Sequence, residues 1–121
     1  MKRNRLVTVT LVLFMGIAWF ALAHMRVSKT APEDGSTIAK APNAIQVWFT
    51  QNPDSAVSKM SMSGPSGEVD LYVHLGGNKS LMGMVQTQNL GDGNYTVNWQ
   101  TAGDDGHIQK GDYTFTVESK K

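Results

Sequence analysis

Cysteine is absent from this chain. That excludes disulfides and a lipid-bearing cysteine behind a leader, so any exported domain here is held by its core alone. Charge is sparse, at 17% of residues, and forms no basic cluster beyond the first five residues. Nucleic acid and an anionic membrane surface therefore have no electrostatic footing. Only three histidines occur, which supports no Ser-His-Asp nucleophile set, and no Gly-rich phosphate loop precedes a helix. Internal repeats, low-complexity linkers and long amphipathic helices are lacking as well.

One long hydrophobic run is present, over residues 11–23, with Gly16 inside it. Lys2, Arg3 and Arg5 precede it and Ala21-Leu22-Ala23 closes it, the pattern of a secretion signal cut after Ala23. The run is shorter than the ~20 apolar residues that a membrane anchor needs. The expected organisation is a signal over 1–23 and one domain over 24–121, which carries no further span. Without the three basic residues of the leader, that domain has 8 Lys and Arg against 10 Asp and Glu, a formal charge of −2.

Short strands separated by turn residues fill the domain. Ile45, Val47 and Phe49 share one phase, and so do Leu71, Val73 and Leu75; Tyr95, Val97 and Trp99; and Tyr113, Phe115 and Val117. Weaker strands are expected near 25–30, 57–62 and 81–87. Breaks fall at Pro32-Glu33-Asp34-Gly35, Asn52-Pro53-Asp54, Gly64-Pro65-Ser66-Gly67, Gly76-Gly77-Asn78 and Gly91-Asp92-Gly93-Asn94. Residues 36–40 have room for one helical turn. About seven strands in fewer than a hundred residues predict an all-β fold, a small Greek-key sandwich or barrel.

Cleavage after Ala23 makes His24 the first residue. A terminal histidine offers its α-amine and imidazole Nδ1 to one metal, closing a six-membered chelate ring. Asp105-Gly106-His107 lies between two alternating strands, where positions i and i+2 of an extended chain face the same way. Alone, Asp-Gly-His is a common turn with a solvated histidine. Beside a terminal histidine it completes a set of amine N, two imidazole N and carboxylate O, which suits Cu(II) in a tetragonal arrangement. Zinc more often takes histidine clusters or thiolates.

These residues carry a wider resemblance. His24, Val27, Ser28 and Ala31-Pro32-Glu33-Asp34-Gly35-Ser36 resemble the opening of the CopC-type periplasmic copper-resistance proteins. Ala41-Pro42 with the strand through Ile45 and Phe49 resembles their next strand. Leu90, Gly93, Tyr95-Thr96-Val97 and Trp99 resemble their core hairpin, and Asp105-Gly106-His107, Gly111 and Phe115-Thr116-Val117 their ending. The resemblance covers essentially the whole domain. It implies an immunoglobulin-like or cupredoxin-like β-sandwich in the periplasm, with one Cu(II) held by His24, Asp105 and His107. The implied partner is an inner-membrane copper transporter of the CopD type.

Two departures stand out. Gln51 falls where many relatives carry a carboxylate near the Cu(II) site. The Met-rich loop of relatives with a Cu(I) site is missing. Met60/Met62 and Met82/Met84 sit in strand-like runs and read as core filler rather than as a Cu(I) site. Met25 fits either role. His74 falls opposite the apolar phase of its strand and reads as solvated. Asp104 is a substitute ligand for Asp105 or a source of added negative charge. Trp99 reads as core, and Trp48 faces away from the phase of Phe49.

Three functions compete. A Cu(II) carrier or buffer, not an enzyme, fits the residues best. A copper oxygenase also uses a terminal-amine, two-histidine site, but it needs an open coordination position and a flat aromatic face for polysaccharide. A metal-free sandwich acting as an interaction module is the third.

Overall fold

The computed structural model describes residues 24–120. The predicted signal and its cut after Ala23 lie outside the described residues. Nine strands build two facing sheets, and among the described residues there is no helix. They are β1 (Val27–Ala31), β2 (Thr37–Ile38), β3 (Ala44–Phe49), β4 (Lys59–Gly64), β5 (Gly67–Val69), β6 (Leu71–Gly77), β7 (Ser80–Val85), β8 (Gly93–Ala102) and β9 (Ile108–Val117). One sheet runs β1-β3-β7-β6 and the other β2-β9-β8-β4-β5. Neighbours pair antiparallel, except β2, which runs parallel to β9.

Period-two alternation explains the core. Ile45, Val47 and Phe49 of β3 face Met60 and Met62 of β4, Tyr95 and Val97 of β8, and Tyr113, Phe115 and Val117 of β9, all buried. Tyr95 stacks on Phe115 with centroids 5.3 Å apart, and Phe49 meets the half-buried Trp99 edge-on at 5.1 Å.

The strand count among the described residues exceeds the expected seven because short β2 and β5 complete the edges of the larger sheet. Residues 36–40 hold β2 rather than a helical turn: Thr116 N–H donates to Ser36 C=O and Glu118 N–H to Ile38 C=O, which ties the segment to β9. The four methionines also divide. Met60 and Met62 are core, but Met82 and Met84 are only half-buried. On β7 the inward phase belongs to Leu81 and Gly83, opposite Val47 and Ile45. Met82 and Met84 therefore face outward beside Gln46 and Ala44 on one strand and His74 and Tyr72 on the other. Leu75, expected to point inward, lies 44% exposed on the edge strand β6. Trp48 faces outward, with the Lys29 ammonium 4.4 Å above its ring.

Candidate metal centre

One end of the sandwich gathers the start of β1, the end of β3 and the β8–β9 turn. Met25 is buried in the core at 1% exposure. Arg26 is pinned twice to Thr50: its N–H donates to Thr50 Oγ1 at 3.0 Å, and its carbonyl accepts Thr50 N–H at 2.9 Å. These contacts fix where His24 emerges.

Residues 103–107 supply the opposite half. Asp105 and His107 lie in the turn and not in an extended strand, so strand alternation is not what aligns them. Gly106 adopts φ +73°, a left-handed conformation that costs a residue with a Cβ, and its N–H donates to Gly103 C=O at 3.0 Å. Asp105 Oδ1 accepts His107 N–H at 3.0 Å, an Asx-type closure. The second oxygen, Oδ2, then stands 3.2 Å from His107 Nδ1 and 3.2 Å from His24 Nδ1. Among the described residues His24, Asp105 and His107 form a cluster able to hold an ion, each offering one atom within 4.8 Å of the others.

Spacing and charge both suit a cation. Cis ligands bound at ~2.0–2.1 Å stand roughly 2.9 Å apart, close to the observed separations. The Asp105 carboxyl is held below the usual aspartate range, chiefly by His107 N–H; desolvation opposes this, and the two histidine side chains add to the lowering. It therefore stays an anion in mild acid. The His24 and His107 side chains are 66% and 76% exposed, so an ion reaches them without any opening of the fold.

Asp104 lies outside this cluster and contributes through its backbone: its N–H donates to Gln51 Oε1 at 2.9 Å. His74 lies elsewhere, on the outer face of β6, with Nδ1 donating to Leu75 C=O at 2.9 Å. The sequence reading treated Gln51 only as a lost carboxylate and left Met25 open. No spacing signal marks Met25, because Val27, two residues on, is exposed while Met25 is buried.

Comparison with known proteins agrees with this fold. The CopC domain model matches residues 27–118. Copper resistance protein C of Escherichia coli is 33% identical over 115 residues, covering 88% of this chain and 90% of that protein. Protein YobA of Escherichia coli K12 is 30% identical over 100 residues, covering 79% of this chain and 80% of YobA. The crystal structure of PcoC, a methionine-rich copper resistance protein from Escherichia coli, superposes with a TM-score of 0.71 at 30% identity, covering 79% of this chain and 100% of that one. CopC from Methylosinus trichosporium OB3b shares the fold at a TM-score of 0.69 and 24% identity, over 81% of this chain and 97% of that one.

Proposed function

The chain belongs to the CopC family, and on that footing we propose that it is a periplasmic Cu(II)-binding protein serving copper resistance. The observation that carries the reading is the convergence of His24, Asp105 and His107 from opposite ends of the chain. In the mature protein, cut after Ala23, the His24 α-amine and Nδ1 chelate the ion, and Asp105 and His107 complete an N/O set suited to Cu(II). One Cu(II) is bound per chain, without a Cu(I) site. Binding masks the ion's redox chemistry, and the protein buffers copper or hands it to an inner-membrane transporter of the CopD type.

An enzyme is not proposed. Asp105 fills a coordination position that oxygen chemistry needs open, which favours a carrier over an oxygenase.

Intact mass of the exported protein, measured together with its copper content, tests the cut and the site at once. The expected result is a chain beginning at His24 with one Cu(II). A variant with one extra residue before His24 loses the amine chelate and binds much more weakly. Equal affinity in that variant rules the chelate out.

A further inference from the structure

We propose that Met25 and Gln51 are positioning residues that lock the two halves of the copper site together across Gly103, an inference that rests on His24, Asp105 and His107 being the ligands. Neither residue touches the ion in this proposal. Each acts through a neighbour that does.

The site has little packing of its own, because both histidine side chains are mostly exposed. What fixes it lies beneath. Of the two side chains between the chelating terminus and β1, Arg26 is exposed and Met25 is sunk into the core cluster that also holds Phe49 and Met62. Gln51 follows Thr50, which already holds the Arg26 backbone from both sides. Its Oε1 accepts the N–H of Asp104, the residue next to Asp105.

Gly103 is where the two supports meet. A β-carbon built there would stand 3.1 Å from Met25 Cβ and overlap Gln51 Oε1. The bare Cα lets the terminal segment and the hairpin press onto one spot, His24 leaving it on one side and Asp105 on the other. With Met25 seated, His24 has a single residue of slack. With Asp104 N–H held by Gln51, the turn presents Asp105 Oδ2 at a fixed height. The supports are oriented before the ion arrives, so copper binding does not bear the cost of ordering them.

The mature protein and its Met25→Ala, Met25→Leu and Gln51→Ala variants test this by Cu(II) titration against a competing chelator and by electron paramagnetic resonance. Met25→Ala and Gln51→Ala are expected to weaken binding by roughly 10- to 100-fold, as loss of an outer support does, and to shift the Cu(II) hyperfine pattern. Met25→Leu, which refills the same volume, is expected to restore both. Melting temperature is followed in parallel, because a purely structural role lowers it and leaves affinity and spectrum unchanged. That outcome overturns the proposal. If Met25→Ala does not fold, Gln51→Ala decides, since it removes one acceptor at the surface end of β3. Unsubstituted protein that binds no Cu(II) refutes the copper site itself, whereas tight native binding with unaffected variants refutes the positioning role alone.

Discussion

His24 Nδ1 and Asp105 Oδ2 stand 3.2 Å apart although 81 positions separate them in sequence. The same oxygen lies 3.2 Å from His107 Nδ1, so one carboxylate atom serves both imidazoles. A metal entering here replaces protons that now hold three side chains around a shared point.

Removing the hairpin ligands separates their roles. His107→Ala deletes a nitrogen donor and Asp105→Ala an oxygen donor, and both positions lie in a turn outside the core, so the sandwich tolerates either change. Electron paramagnetic resonance of the Cu(II) form should lose nitrogen coupling in the His107 variant alone. Unchanged spectra in both variants would exclude this end of the molecule.

Acid should release the ion. A free α-amine titrates near pH ~8 and must shed its proton to bind metal. Cu(II) affinity is expected to fall as pH drops below that value. Calorimetry in buffers of differing ionisation enthalpy should detect proton release on binding. Acetylating the terminus should abolish that contribution.

The methionines should divide by face. Met62→Ala opens the core and is expected to cost about 2–5 kcal/mol of unfolding free energy, and Met84→Ala on the outer face much less. Leucine at all four positions should cost under ~1.5 kcal/mol per site and leave Cu(II) binding intact. Denaturant titration reads the first two effects, and copper titration the last.

The strands most legible in the sequence were those with one buried and one open face. Val47 and Phe49 alternate with Gln46 and Trp48, and the structure keeps that phase. Methionine breaks the code because its thioether suits either face, so Met82 and Met84 looked like Met60 and Met62 until Leu81 and Gly83 claimed the inward phase of β7. The β2 segment was hidden for another reason. Two residues carry no periodicity, and their pairing comes from β9, far away in sequence. At the site the three clustered residues were legible from residue type, but their alignment rests on other grounds than strand alternation. An Asx closure at Asp105 and the left-handed Gly106 do the work assigned to strand alternation.

Alkali should find Tyr113. Burial, and then the nearby Asp34 carboxylate, push its phenol well above the ordinary tyrosine value of 10.0. The folded chain therefore holds this proton more tightly than the unfolded chain does. The contribution to stability is level below pH ~10 and is lost as pH climbs from there towards the folded value. Denaturant unfolding followed from pH 8 upward should fall off less steeply in Tyr113→Phe than in the native protein.

With His24, Asp105 and His107 as the proposed ligands, copper would have a second effect, as a clasp. An ion joining His24 to Asp105 and His107 closes a loop over most of the domain, the constraint that a long-range disulfide would impose on a chain with cysteines. The unfolded chain has no such preformed grip, so each increment of free copper favours the native state. By mass action that amounts to about 2.7 kcal/mol once free ion reaches a hundred times its dissociation constant. Melting temperature should therefore climb with copper, and the rise should disappear when His24 is no longer first. On the proposed function, the ion would also be a reversible cross-link for a domain without cysteine, present when the metal is abundant and gone when it is released.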